Sequence, residues 1–245
     1  MTWEDHATWW IDGFTEGADP EYVEQLLPLT EAELAGARRV LDVGCGEGQI
    51  SRLAARLEGV EQVVGVDPTW NQLTVAVARG GPIGFVRGGA ERLPFADATF
   101  DAVVACLVFE HVDAVDEAIA EVARVLAAGG RFCLLLNHPL FQTPGSGWID
   151  DQVLDPPEQY WRIGEYLVED ERLEEVEKDV FIPFIHRPLS CYVNALAGNG
   201  LLIERMEEPS PPPGLLARAE EYEATATIPR LLLLLTRKLG AADGG

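Results

Sequence analysis

The chain has 245 residues, 47% of them hydrophobic, which suits one α/β domain of ordinary size. Lysine and arginine together number 18 against 41 aspartates and glutamates, so the formal net charge is -23. This balance argues against a nucleic-acid backbone or an anionic membrane as the main partner, because both require a concentrated positive surface. Small molecules and other proteins remain as partners.

Residues 1–37 are acidic and carry several aromatic side chains, and Thr30 and Glu33 have the spacing of a capping box. We predict a helical lid for this segment. Its acidic beginning lacks the positive charge of a signal peptide or transit segment. The longest apolar run, residues 231–235, is far too short to cross a membrane. The sequence therefore predicts a soluble, cytoplasmic protein.

Residues 38–138 alternate short apolar runs with helix-length segments, which indicates a doubly wound, mostly parallel sheet. The predicted strands of this core are residues 40–43, 63–66, 83–86, 101–106 and 131–136. The predicted helices between them are residues 49–57, 71–79 and 115–126. The last of these helices places its apolar side chains on one face and its charges on the other.

An insertion follows the fifth strand, over residues 139–187, where proline, glycine, aromatic and acidic residues dominate. Within it, residues 155–167 are predicted to form a short helix and residues 165–179 a solvated acidic face. Regularity returns in residues 188–245, with a helix at 190–198 and strands at 201–206 and 228–237. Residues 1–245 are thus expected to form a single α/β domain with a seven-stranded sheet.

The cysteines are Cys45, Cys106, Cys133 and Cys191, too widely spaced for a CxxC zinc pair. We interpret them as reduced, structural thiols. No two histidines have the spacing of ligands on one helix or hairpin, so no metal site is predicted.

The strongest local signal is VLDVGCGEGQ at residues 40–49, where a strand runs directly into Gly44, Gly46 and Gly48. A helix is predicted to begin at the next residue, Gln49. Glycines at alternate positions remove the Cβ atoms that would keep a ligand from the backbone, and a helix start presents unpaired N–H groups. This pattern predicts a nucleotide-like ligand.

The spacing of the glycines and the nearby acidic residues narrow the possible classes of ligand. The dinucleotide fingerprint requires a third glycine where this chain has Gln49. Asp42 at the end of the strand would repel a pyrophosphate but would suit a ligand that carries an ammonium or sulfonium charge. Asp67, in VVGVDPT, follows the second strand, where a carboxylate accepts hydrogen bonds from both ribose hydroxyls.

The blocks VLDVGCGEGQ, VVGVDPT, GGAERLPFADATFDAVVACLVFEHV and RVLAAGGRF resemble, in order and spacing, the class I S-adenosylmethionine-dependent methyltransferases. Within that superfamily the chain is similar to the small-molecule group that includes the quinone-biosynthesis enzymes. The resemblance covers residues 38–138 and extends to HRPLSCYVNALAGNGLLIERMEEP near the C-terminus. It implies a Rossmann-like methyltransferase fold, S-adenosylmethionine as cofactor, and methyl transfer to a small hydrophobic or aromatic acceptor.

The resemblance also assigns cofactor contacts. Asp42, Gly44, Cys45 and Gly46 would line the methionine part, and Asp67 would hold the ribose hydroxyls. Pro68 and Thr69 would flank the adenine, Ala90 and Glu91 would lie at its edge, Leu107 would lie beneath the sulfonium, and Gly48 and Gln49 complete the set. Two positions depart from the family pattern: Gly89 replaces the usual aspartate that accepts from the adenine amino group, and Ala128 replaces a proline.

Candidate catalytic residues follow the ends of predicted strands, where ligands bind in parallel sheets. His111 and His138 are the candidate bases, and Tyr160 is a weaker orienting group. Trp10, Phe14, Trp161 and His186 are the candidate substrate contacts, in segments expected to cover the site. Structural roles remain open for all of them, such as a loop contact for His111 or a helix cap for His186.

Two other functions remain open on the sequence alone. One is a protein that binds S-adenosylmethionine without transferring its methyl group, as a partner subunit or for another reaction. The other is a nicotinamide-dependent oxidoreductase, which Gln49 disfavours. The sequence leaves open the acceptor, whether oxygen, nitrogen or carbon is methylated, and the oligomeric state.

Overall fold

The computed structural model describes residues 3–218 and 226–240. Its strands are β1 (Arg39–Val43), β2 (Gln62–Asp67), β3 (Ile83–Arg87), β4 (Phe100–Cys106), β5 (Leu126–Asn137), β6 (Gly147–Asp151), β7 (Glu158–Arg162), β8 (Asp170–Glu177), β9 (Val180–His186), β10 (Leu201–Glu207) and β11 (Leu231–Lys238). Its helices are α1 (Ala7–Phe14), α2 (Leu27–Leu34), α3 (Gln49–Ala54), α4 (Trp70–Arg79), α5 (Val115–Val125), α6 (Leu189–Gly198) and α7 (Pro213–Leu216). A π-helical turn, Tyr22–Leu26, precedes α2, and a 3₁₀ turn, Phe109–His111, follows β4.

The central sheet has seven strands in the order β10-β11-β5-β4-β1-β2-β3. Strands β1 to β5 are parallel, and β11 is antiparallel to both of its neighbours. The chain leaves β1 toward β2 and β3, then returns to place β4 on the other side of β1. Such a reversal opens a crevice at the carboxyl ends of the two central strands. The predicted doubly wound, mostly parallel seven-stranded sheet is confirmed.

The central strands are buried on both faces, as parallel strands between two helix layers require. In β4, Val103 and Ala105 pack into a cluster with α5 and α6. Ala102, Val104 and Cys106 pack into the opposite cluster, with α2 and α3. This two-sided burial explains the short apolar runs in the sequence. All cysteines of the chain are free thiols, three of them buried and Cys191 half-buried.

The insertion after β5 differs from its prediction. Residues 155–167 contain no helix, because β7 pairs there with β6 as an antiparallel hairpin that sets Trp161 opposite Trp148. Aromatic side chains favour such cross-strand pairs. The acidic stretch 165–179 contributes β8, which pairs with β9 and leaves most of its side chains exposed. None of the helices in residues 3–218 and 226–240 is long and apolar enough to cross a membrane.

The predicted capping box at Thr30 is wrong. Helix α2 begins at Leu27 and continues directly from the π-helical turn, so Thr30 lies inside the helix. Its side chain is fully buried, and its hydroxyl has no hydrogen-bond partner among the described residues. A buried hydroxyl without a partner costs stability.

Thr30→Val is therefore expected to stabilise the fold by about 1 kcal/mol, because it replaces an unpaired hydroxyl by a methyl group of the same shape. Urea denaturation of the wild type and the variant measures this difference. A loss of stability on substitution would show that the hydroxyl has a partner, such as an internal water.

Candidate functional site

A cavity of about 460 Å³ lies at the carboxyl ends of β1, β2 and β4. Its size suits a small-molecule ligand. The sequence-predicted residues that line it are Asp42, Gly44, Cys45, Gly46, Gln49, Asp67, Pro68, Thr69, Ala90, Glu91, Leu107, Trp10 and His111. Residues from three of the four motif blocks thus meet at the crevice where the strand order reverses, and the fourth block, RVLAAGGRF, does not line it.

The turn after β1 carries glycines because its backbone is left-handed and crowded. Gly44 has φ +71°, and a Cβ there would lie 2.4 Å from the Val108 side chain. Gly46 has φ +51° and lines the cavity, with no atom nearer than 3.8 Å to the Cβ that it lacks. Gly48 does not line the cavity, and the Cβ that it lacks would lie 2.9 Å from the Phe85 ring, so glycine makes room for that ring.

Asp67 at the end of β2 organises the site. It is 7% exposed, and its carboxylate accepts hydrogen bonds from the backbone N–H groups of Gly46 (2.9 Å) and Thr69 (2.8 Å). These bonds join the glycine turn to the start of α4. Burial raises the pKa of this carboxyl, while the two backbone donors oppose the rise. The remaining lone pairs suit a ligand with hydroxyl donors.

Asp42 lies deeper, at 1% exposure, and accepts a hydrogen bond of 2.6 Å from the Ser51 hydroxyl. Burial raises its pKa to about 7, with the charge of Asp67 adding to the rise and Ser51 opposing it. The carboxyl is thus close to half-ionised at neutral pH. A positively charged ligand at this position would favour the ionised form.

This raised pKa makes the stability of the unliganded protein depend on pH. The folded state keeps a proton on Asp42 that the unfolded chain releases, so the stabilising contribution is complete below about pH 4 and is lost as pH rises through 7. Between pH 5 and pH 8, we expect the free energy of unfolding of the wild type to fall by on the order of 2 kcal/mol more than that of Asp42→Asn. Denaturant unfolding at both pH values measures this, and parallel pH dependences would show that Asp42 is ionised throughout.

Glu47 also lines the cavity and was missed by the sequence analysis. It is 2% exposed, and its carboxylate forms ion pairs with Arg52 and Arg79. Its position in the glycine turn was visible, but its arginine partners lie on two different helices. Two cations therefore compensate this buried acid, whereas the buried carboxylates of Asp42 and Asp67 have no arginine ion pair among the described residues.

Aromatic side chains form the outer wall. Trp10 lines the cavity and stacks on Phe14, with ring centroids 4.6 Å apart at 16°. Phe14 therefore supports Trp10 from behind and does not itself line the cavity. Trp3, another lining residue, meets Trp10 edge-on at 5.7 Å. Neither Trp3 nor Tyr22 was among the predicted substrate contacts, since no local motif distinguishes them from the other N-terminal aromatics.

The N-terminal segment is tied across the mouth of the cavity. The Glu4 carboxylate accepts hydrogen bonds from the backbone N–H groups of Trp70 (2.7 Å) and Asn71 (2.9 Å), which are the first residues of α4. A carboxylate at a helix N-terminus is favourable. These bonds fix the neighbouring Trp3 beside the cavity.

His111 lines the cavity from the 3₁₀ turn after β4. Its Nδ1–H donates to the Pro183 carbonyl at 2.7 Å, which leaves the lone pair on Nε2 in the neutral ring. Trp3 and Phe184 pack edge-on against the imidazole at 4.9 and 5.6 Å. Burial lowers the pKa of His111, so the ring is neutral at pH 7.

Besides Gly48 and Phe14, four other predicted site residues do not line the cavity. The ring of His138 is paired on both nitrogens, with Glu208 at 2.8 Å and the Leu140 N–H at 3.1 Å. His186 bonds the Tyr166 carbonyl at 2.9 Å. The other two are Tyr160, exposed on β7, and Trp161, stacked on Phe141 with centroids 5.0 Å apart.

Comparisons with known proteins place this architecture in a family. A family model described as a methyltransferase domain matches residues 41–134. The O-methyltransferase rstn1 of Aspergillus nomiae is 31% identical over 169 residues, 60% of this chain and 75% of that protein. The chain belongs to the class I S-adenosylmethionine-dependent methyltransferases. The crystal structure of an S-adenosylmethionine-dependent methyltransferase from Mesorhizobium loti superposes on it with a TM-score of 0.74 and 28% identity, over 86% of this chain and 96% of that one.

The predicted likeness of this methyltransferase to quinone-biosynthesis enzymes is also confirmed. The ubiquinone/menaquinone biosynthesis C-methyltransferase UbiE of Methylobacterium nodulans is 40% identical over 121 residues, 46% of this chain and 47% of that protein. The chain spans about half the length of several curated relatives that it matches.

The residues that line the cavity fit S-adenosylmethionine, independently of the comparisons with other proteins. S-adenosylmethionine has a cationic methionine end, a ribose with two hydroxyls, and an adenine. Gly46 leaves its backbone open toward the cavity, and Asp67 presents a carboxylate with free lone pairs. Within residues 3–218 and 226–240, no three histidine, cysteine or acidic side chains lie close enough together to hold a metal ion.

Proposed function

We propose that this methyltransferase transfers a methyl group from S-adenosylmethionine to a hydroxyl-bearing, small hydrophobic or aromatic acceptor. One observation carries the proposal. A single cavity joins the glycine turn and Asp67 to an outer wall of Trp3, Trp10 and a neutral His111. One side suits the cofactor, and the other suits a flat, apolar acceptor that carries a proton to be removed.

The cofactor would lie along the carboxyl edge of the sheet. Asp67 would accept hydrogen bonds from the ribose hydroxyls, and Asp42 would ionise beside the cationic methionine end. When bound, the cofactor supplies an electrophilic methyl group on a positively charged sulfur. The turn around Gly46 allows close approach because no side chain intervenes.

The chain's own contribution is placement and proton removal. Trp3 and Trp10 would hold an apolar acceptor and keep water from the reacting atoms. Holding the acceptor oxygen in line with the methyl group supplies most of the acceleration. Nε2 of His111 would accept the hydroxyl proton as the new oxygen–carbon bond forms, and the Pro183 carbonyl would stabilise the resulting imidazolium.

Two relatives are named O-methyltransferases, which supports a hydroxyl acceptor. Two others are named ubiquinone/menaquinone biosynthesis C-methyltransferases, which supports a small-molecule acceptor but not the methylation of oxygen. The cytoplasmic location remains a prediction from the acidic N-terminal residues and the short apolar runs, and the exclusion of nucleic acid remains a prediction from the net charge.

The proposal is tested with S-adenosylmethionine that carries a radiolabelled methyl group. The purified protein is incubated with a panel of small phenols, hydroxyquinones and aliphatic hydroxy acids, and label extracted into organic solvent is measured. We expect transfer to phenols or hydroxyquinones and none to the aliphatic acids. Binding of S-adenosylhomocysteine without transfer to any acceptor would favour the cofactor-binding protein without transferase activity.

A further inference from the structure

Gly89 and Glu91 share one space beside the cavity. The Cβ that Gly89 lacks would lie 2.3 and 2.5 Å from the two carboxylate oxygens of Glu91. The Glu91 carboxylate therefore occupies the place that a side chain at position 89 would fill. The backbone of Gly89 is not left-handed. Glycine is therefore required here because a Cβ would clash with the Glu91 carboxylate, not because of the backbone conformation.

This carboxylate lies on the side of the cavity where the base of a bound nucleoside would be. The loop that follows β3 is joined to the end of β2, since the Gly88 N–H donates to the Asp67 carbonyl at 3.1 Å. When Asp67 holds the ribose of the cofactor, the methionine end of the cofactor points toward the turn after β1. Its base then points in the opposite direction along the sheet edge, toward β3. Gly89 and Glu91 both line the cavity at this end.

Glu91 is exposed and lines the cavity, and its carboxylate forms no hydrogen bond or ion pair with any of the residues 3–218 and 226–240. An ionised carboxylate only accepts hydrogen bonds. The exocyclic amino group of adenine is a donor, whereas hypoxanthine presents a carbonyl oxygen at the same position.

We infer that Glu91 is a specificity-determining residue, whose carboxylate recognises the adenine amino group of the cofactor from the space that Gly89 leaves open. The inference rests on the proposed cofactor site and deepens it. Any side chain at position 89 would displace the Glu91 carboxylate. A carboxylate introduced at position 89 could take over its role only if the Glu91 side chain were shortened as well.

Calorimetric titration with S-adenosylhomocysteine and with S-inosylhomocysteine tests the inference, because the two probes differ at this group. We expect Glu91→Ala to lower the preference for the adenine compound by about tenfold, and the pair Gly89→Asp with Glu91→Ala to restore most of it. Glu58→Ala, which removes an exposed acid from a turn outside the cavity, should retain the wild-type preference.

An unchanged preference in Glu91→Ala, with tight binding of S-adenosylhomocysteine to the wild type, would overturn the role of Glu91 and leave the proposed function standing. Failure of the wild type to bind either compound would overturn the proposed function as well. Glu91 is exposed, so its single substitution gives a folded protein even if the pair does not.

Discussion

Gly46→Val is expected to weaken binding of S-adenosylhomocysteine by about 100-fold, roughly 3 kcal/mol, while the fold survives. The atoms nearest to the Cβ that Gly46 lacks belong to Gln72 and Trp10, at 3.8 to 3.9 Å, and both residues line the cavity. The valine side chain therefore fits without a clash with the protein, but it occupies space that the ligand needs. Calorimetry at millimolar ligand measures the loss.

Gly59→Val is the matched control for this substitution. Gly59 has a similarly left-handed backbone, with φ +87°, and no atom lies within 4 Å of the Cβ that it lacks. Both variants carry the strain of a branched residue in this conformation, about 1–2 kcal/mol. Gly59→Val should lose that stability and keep the wild-type affinity. Wild-type affinity in Gly46→Val would contradict the placement of the cofactor in the turn.

The core could be predicted because its signals are local. The run 40–43 became β1 with one added residue, since each of its side chains is buried and the glycines that follow are required by a crowded, left-handed turn. Asp67 was recognisable from its place at the end of β2. Both inferences needed only neighbouring residues in the chain.

The substrate side could not be predicted because its contacts join distant residues. Trp3 meets His111 across more than a hundred residues, and although His111 lies in a motif block at the end of a strand, no motif marks Trp3. His138 follows β5 as predicted, yet Glu208 from beyond β10 binds its ring and keeps it out of the cavity. The predicted helix at 155–167 failed similarly, since its strand depends on pairing with β6.

His111→Asn is expected to lower the rate of methyl transfer to a neutral phenol by about 10²- to 10⁴-fold, with little change in affinity for S-adenosylhomocysteine. The asparagine amide can keep the hydrogen bond to the Pro183 carbonyl, but it has no counterpart of Nε2. The wild-type rate should fall only at a pH below the range in which an ordinary histidine titrates, because burial lowers the pKa of His111 and protonation removes the base. Single-turnover rates with labelled S-adenosylmethionine from pH 5 to pH 8 measure both effects.

An acceptor that is already ionised separates proton removal from a packing role. 2,4-Dinitrophenol, which stays largely anionic from pH 5 to pH 8, needs no base, so the variant should methylate it at nearly the wild-type rate and without the acidic fall in the pH profile. Trp3 and Phe184 pack against the imidazole. If the ring served only to support these side chains, its replacement would slow methyl transfer to both the neutral and the ionised phenol. Equal losses for the neutral and the ionised phenol would therefore show that the ring positions the wall of the cavity and removes no proton.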